Sequence, residues 1–408
     1  MNARAMSGAV VGVATALAQV WAVTGPALAQ VTGDEVETAI RRAVRYLERR
    51  QRADGAWPEQ YYRGGETALA TLALIQAGAP PDDPRIQRAI TWLVAQPDEH
   101  VYVTSLKIMV LSQADAKAHR RKIKELADWL IAAQTRSGLW TYTQRSQAWD
   151  HSNSQFALLG LHAAGEAGVR IPKPVWERAR MRVLGSQNRD GGWGYREGGG
   201  SYGSMTAANV SNLNILGSRV AIPLERRFRD GAAAGCGRYA ANRPLIEGLR
   251  WIGRNFRADV NPARGNAWRH YWLYAVERAG ILSGRATFDG HDWYREGAAH
   301  LIDTQRPDGA WATAGAGAIP DTAFAILFLA KGRKPLLIQK LQWSQGGEWN
   351  LDRHDAAHLV EFIGDKFGEA TAWQVVDFDA PMEDWLAAPP RSASARRAAS
   401  TGTTNRTG

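Results

Sequence analysis

The sequence predicts an all-α protein assembled from helix-pair repeats, and two observations carry this. The first is a motif, Gln-x-x-x-Gly-x-Trp, that occurs four times: at Gln51, Gly55 and Trp57; at Gln134, Gly138 and Trp140; at Gln187, Gly191 and Trp193; and at Gln305, Gly309 and Trp311. The second is the context of those copies. Each precedes a run of small and apolar residues, and three clearly follow a stretch with one aromatic or leucine stripe. The motif therefore joins an amphipathic helix to one that is apolar almost all round. Similarity that recurs every few tens of residues marks a repeat architecture.

The units follow in order. In the first, the stripe at residues 43–47 leads through Gln51 to the apolar run 67–74. The second is degenerate: residues 90–96, with Trp92 and Gln96, lead into 103–111 without the glycine and second tryptophan. The third runs from 127–130 through Gln134 to 154–161, and the fourth from Gln187 to 206–210. The fifth is degenerate again, with Trp251 and Asn255 leading into 268–279, and the sixth runs from 299–302 through Gln305 to 322–329. From residue 51 through 96, 134, 187, 255 and 305 the steps are 45, 38, 53, 68 and 50 residues, a helix pair with insertions.

Elementary chemistry explains the motif. The glycine supplies a left-handed residue that stops the first helix, and the Asp or Ser before it supports a turn. The Gln amide serves unpaired backbone groups at helix ends. The Trp covers the start of the neighbouring helix, with its ring N–H free for an acceptor. An open solenoid needs polar caps at both ends, whereas the second helices here suit an inner ring facing its own core.

The four copies resemble the repeat of squalene–hopene cyclases and of protein prenyltransferase β subunits. The resemblance covers residues 31–334. It implies an (α/α)6 toroid, with inner and outer helix rings around a central cavity.

Both ends of the chain differ from this body. Arg4 precedes an uncharged stretch at residues 5–23, and Ala27 and Ala29 offer a cleavage site before Gln30. Residues 1–29 thus read as a secretory signal peptide, with the toroid at 30–334 and the protein secreted or periplasmic. The alternative is an uncleaved N-terminal membrane anchor. Residues 335–390 look like the start of a second, truncated α/β domain, with a helix at 355–367 and a strand from Trp373. Residues 391–408 are Ala, Ser, Thr and Arg without periodicity and are expected to be disordered.

The formal charge of +10 does not imply a nucleic-acid partner. Arg4 and the four tail arginines account for half of it, and the remaining +5 is interspersed with acids, as on a solvated helix face. Cys236 is the single cysteine, so no intramolecular disulfide forms.

The chemistry that the resemblance implies is only partly present. Repeat cyclases protonate an alkene with an Asp-x-Asp-Asp sequence. Asp321, Thr322 and Ala323 look like the end of that motif, but Ile319 and Pro320 stand before them; Asp321 otherwise reads as an N-cap. Prenyltransferases hold zinc through Asp, Cys and His, and Cys236 lacks partner ligands, so no metal and no cofactor are expected. Gly235, Cys236 and Gly237 resemble the start of a complement-type thioester, but Arg238 and Tyr239 follow where that site needs Glu-Gln.

Two polar–aromatic clusters remain. One holds Trp268, His270, Tyr271 and Tyr274, followed by His291, Asp292 and Trp293; the other holds Trp149, Asp150 and His151. His270, Asp292 and Asp321 are the candidates for acid–base or ligand chemistry. Asp150, Tyr202, Trp268, Tyr271, Tyr274 and Trp293 are the candidates for ligand binding. Tyr202, His270, Tyr271, Tyr274, Asp292 and Asp321 are expected near one mouth of the cavity. The structural alternative is that the aromatics fill the core and the polar groups cap helices. Three functions stay open: a toroid binding an apolar small molecule or a protein, an isoprenoid cyclase or transferase, and a non-catalytic interaction scaffold.

Overall fold

The computed structural model describes residues 31–220 and 242–331, except 286 and 314, together with residue 359 and four short strands beyond these ranges. Twelve helices lie among the described residues. They are α1 Gly33–Glu48, α2 Gly65–Gln76, α3 Pro84–Ala95, α4 Val101–Asp115, α5 Arg120–Ala132, α6 His151–Glu166, α7 Lys173–Gly185, α8 Gly203–Val220, α9 Arg243–Asn255, α10 Arg269–Ser283, α11 Trp293–Thr304 and α12 Ala318–Lys331.

The two kinds of helix separate by burial, as the apolar patterns require. Helix α3 buries Ile86, Ala89, Ile90 and Leu93, and α5 buries Ile123, Leu126, Ala127 and Leu130. That is one stripe at i, i+3, i+4 and i+7, leaving the rest to solvent. The even-numbered helices are buried all round: residues 65–74 of α2, 103–111 of α4 and 153–161 of α6 are each continuously buried. The odd helices form the outer layer and the even helices the inner one. Inner helices pack in the order α2, α4, α6, α8, α10 and α12, and α12 packs back on α2 while α1 packs on α11 and α12. The ring is closed: the fold is an (α/α)6 toroid.

The repeated motif makes the same bonds in all four copies. Each Gln amide nitrogen donates twice, once to the motif glycine's carbonyl and once to a carbonyl in the first turns of the next outer helix. Gln51 reaches Arg85 in α3, Gln134 reaches Val175 in α7, and Gln187 reaches Pro244 in α9, each at 2.8–2.9 Å. Gln305 reaches Ala39 in α1 at 2.9 Å, so the fourth copy closes the ring with the bond that the others use along it. Each Trp Nε1 donates to a carbonyl near the end of its own outer helix: Leu47, Leu130, Val183 or Leu301, at 2.7–3.0 Å. Each Trp backbone N–H donates to a hydroxyl on the inner helix that follows, on Thr67, Ser154, Thr206 or Thr322.

The glycine's role differs from the sequence expectation. Helix α1 already ends at Glu48, and Gly55 lies in the turn beyond it, its N–H bonded to the Arg52 carbonyl. Its φ of 94° needs glycine. A Cβ there would also stand 2.6 Å from the Arg88 carbonyl, so the motif loop lies directly on α3. The preceding Asp supports the turn as expected, with Asp54 Oδ1 accepting from Ala56 N at 3.0 Å.

Beyond the ring, β1 Arg226–Arg227 pairs antiparallel with β2 Ala233–Ala234, and β3 Leu337–Gln342 pairs parallel with β4 Ala372–Asp377. The strand expected from Trp373 is β4, in register with Ile338 of β3. Residues 1–29, where a leader is expected, residues 391–408, where a disordered tail is expected, Cys236 and most of 355–367 lie outside the described residues. Among the described residues no helix is long and apolar enough to cross a membrane.

Candidate ligand cavity

All six inner helices begin at one end of the ring, because each follows an outer helix and the loop that turns the chain back. A cavity of about 640 Å³ opens there. Its wall comes from the starts of the inner helices and from the loops before them. Gly65 and Glu66 come from α2, Tyr102 from α4, and Ser152, Asn153 and Phe156 from α6. Ser204 and Met205 come from α8, Tyr271 from α10, and Pro320 and Phe324 from α12. Loops add Tyr61, Tyr62, Tyr142, Tyr195 and Tyr202, and the segment from Asn261 to Trp268 overhangs the same face. Helices can approach closely enough to leave one enclosed wall because of residues such as Gly160, where a Cβ would stand 2.9 Å from Ser105 Cα on α4.

Aromatic rings dominate. Phe156 stacks on Tyr271 at 6.0 Å between centroids and meets Tyr102 edge-on at 4.6 Å, while Phe324 lies 5.5 Å from Tyr271. Tyr271 donates its hydroxyl to Gln155 Oε1 at 2.6 Å. Burial pushes the phenols of Tyr102 and Tyr271 well above the usual range, and that of Tyr202 up to about 12. All three are neutral hydrogen-bonding groups at physiological pH. At the mouth, Tyr61 is 52% exposed and Trp268 42% exposed, with their rings 6.4 Å apart. Trp268 has φ 59°, a left-handed conformation unusual for a bulky residue, and Tyr61 donates its hydroxyl to the Gly315 carbonyl across the rim.

Of the residues singled out from sequence, Tyr202, Trp268 and Tyr271 line this cavity. Tyr274 does not. It lies one turn deeper in α10, buried against Phe324 and Phe156. Asp150 is fully buried behind the wall as the N-cap of α6, accepting from Asn153 N at 2.7 Å. Burial raises its pKa, against the hydrogen bonds from Asn153 that lower it.

His270 and Asp321 come together, with Nδ1 3.0 Å from Oδ1, but both are fully buried and neither lines the cavity. The contact is off the hydrogen-bonding direction, and both His270 ring nitrogens lack an aligned partner. Asp321 is not an N-cap. Helix α12 begins three residues earlier, at Ala318, and Asp321 Oδ2 holds Thr313 by its N–H at 2.6 Å and its hydroxyl at 2.8 Å. Asp150 and Asp321 do not hold equivalent places in their units. Asp321 precedes the Thr that bonds a motif Trp, which is the position of Glu66 and Asn153; Asp150 lies three residues earlier in its unit.

Asp292 and Trp293 are not at the mouth. They start the outer helix α11, where Asp292 caps Arg295 N at 3.1 Å and the buried Trp293 donates to the Arg285 carbonyl at 2.8 Å. Their proximity to His270 in sequence misled, since the chain leaves the inner ring between the two.

Sequence reasoning missed Glu66, Tyr102, Phe156 and Phe324. The signal for Glu66 was its place immediately before the Thr of an inner helix. Glu66 is 4% exposed and lines the cavity, and its Oε1 accepts from Gln60 N at 2.9 Å and Tyr61 N at 3.3 Å.

No family model and no curated protein matches this chain. Among solved structures it is similar to a variant of the type II terpene cyclase MstE from Scytonema in complex with geranylgeranyl dihydroxybenzoate. The identity is 14%, over 73% of this chain and 97% of that one, with a TM-score of 0.51. A ligand-free MstE variant is similar at 13% identity, 73% and 97% coverage and TM-score 0.50. A possible member of the GH105 family from Salmonella enterica is similar at 11% identity, 74% and 94% coverage and TM-score 0.49. At such identities the MstE likeness establishes the toroid fold, which hosts more than one chemistry.

Proposed function

We propose that the protein binds an apolar small molecule inside the central cavity. The observation that carries this is the cavity of about 640 Å³, walled mainly by aromatic rings, with the exposed Tyr61 and Trp268 at its rim. That volume suits a drug-sized or terpenoid-sized molecule, and an aromatic wall with few polar groups rewards apolar surface. The sealed His270–Asp321 pair has no exposure toward such a ligand, which favours binding over acid catalysis. Export by a leader at residues 1–29, leaving a chain that begins at Gln30, is part of the same reading.

Native mass spectrometry of the exported protein tests it. The native chain is expected to carry a co-purified apolar molecule. Ser152→Trp, which fills the cavity from its wall, is expected to lose that molecule with little change in melting temperature. An unliganded native chain that also takes up no added apolar compound would overturn the reading.

A further inference from the structure

We infer that the cavity's ligand is a cationic amphiphile, an apolar body with one ammonium group, and that Glu66 receives the ammonium. This deepens the cavity-binding reading above and rests on it. The observation behind it is an unfinished carboxylate. Glu66 Oε1 is occupied by two backbone N–H groups, but Oε2 has no hydrogen-bond partner, in a side chain more than nine-tenths buried at the cavity wall. A buried carboxylate oxygen left unpaired is costly, and a cation placed beside it removes that cost.

The surroundings select for the same charge. Tyr61, Tyr62 and Tyr102 surround the start of α2, with Tyr102 Cε1 3.3 Å from where a Gly65 Cβ would be. Tyrosine faces attract cations, and this wall already shows it: Arg264 at the rim lies with Cζ 4.3 Å from the Tyr202 ring centroid. Burial is the main cause that raises Tyr102, with the charge of Glu66 next, ahead of Tyr271 and Tyr274, and the charge of Asp150 contributes to raising Tyr62, Tyr202 and Tyr271. Two buried carboxylates thus act on the inner wall, while the positive charge of Arg264 acts against them on Tyr202 at the rim.

One feature argues for the opposite charge. Inner-helix N-termini face the cavity, and free amides there attract anions. In four of these helices, amides at the N-terminus are already taken. Val101 N donates to the Tyr142 carbonyl, Gly65 N to Tyr62, His151 N to Tyr195 and Gly203 N to Pro262. Asn153 N donates to Asp150 and Ser204 N to Asn261 Oδ1. Those six amides are satisfied from within the protein, whereas Glu66 Oε2 is not.

The test compares decylammonium, decanol and decanoate, below their micelle concentrations, by calorimetry on the full chain. These probes share an alkyl body and differ in charge. Decylammonium is expected to bind at least about tenfold more tightly than decanol, and decanoate more weakly than either. Glu66→Gln keeps an oxygen for Gln60 and Tyr61. It is expected to remove most of the ammonium preference, read as the ratio of decylammonium affinity to decanol affinity in the same variant. Equal binding of all three, or preference for decanoate, overturns the cation assignment and leaves the cavity reading standing. Failure of all three to bind overturns both. The selectivity of the native chain decides the matter even if Glu66→Gln does not fold.

Discussion

Each motif tryptophan does two jobs. The ring fills space between layers, and its N–H satisfies a carbonyl left open where the outer helix ends. Replacing Trp311 by Phe keeps most of the volume but leaves the buried Leu301 carbonyl without its donor. The expected cost is about 1–3 kcal/mol, against about 3–5 kcal/mol for Trp311→Ala; urea denaturation separates the two. His151 makes a residue-scale case for pH. It is fully buried beside Ser186, and burial lowers its pKa from 6.5 to about 3. The unfolded chain takes up a proton below about 6.5 that the folded chain refuses. The stability is therefore complete above that pH and is lost as pH falls toward about 3, by up to about 1.4 kcal/mol per unit. Urea midpoints followed from pH 7 to 4 check this, and His151→Asn, which cannot titrate, is expected to flatten the profile.

The motif loops behave as rivets between neighbouring outer helices. Gly309 has φ 92°, and a Cβ there would strike the Arg42 carbonyl oxygen of α1. Gly309→Ala must therefore shift the loop off α1 and weaken the Gln305 bond to Ala39 at the same seam. A loss of about 2–4 kcal/mol is expected from backbone strain and steric displacement together. Thermal melting of Gly309→Ala beside Gly78→Ala distinguishes this from strain alone, since Gly78 also has positive φ but open space around it. The helices were legible in the sequence because a period and a repeated motif reported the same boundaries. The cavity wall was less legible for a physical reason. An inner helix is apolar on the face that meets its neighbours and on the face that meets the cavity, so periodicity cannot say which is which. Tyr271 lines the cavity while Tyr274, one turn on, packs in the core. Asp292 was drawn in by neighbours in sequence that the fold sends to the other layer.

At the scale of the whole molecule, the Gln305 bond to Ala39 has a consequence for stability. A linear array of six units has five interfaces and two loose ends, and it frays from those ends. Here α12 meets α2, so the array has periodic boundary conditions: six interfaces and no terminal unit. Detaching any one pair ruptures two interfaces at once, while the neighbours it leaves become ends for the first time. The first step of unfolding is then the hardest and the later ones are easier, which is the condition for an all-or-none transition. A ring of this kind holds its cavity at one fixed width up to the point of collapse, instead of loosening by degrees.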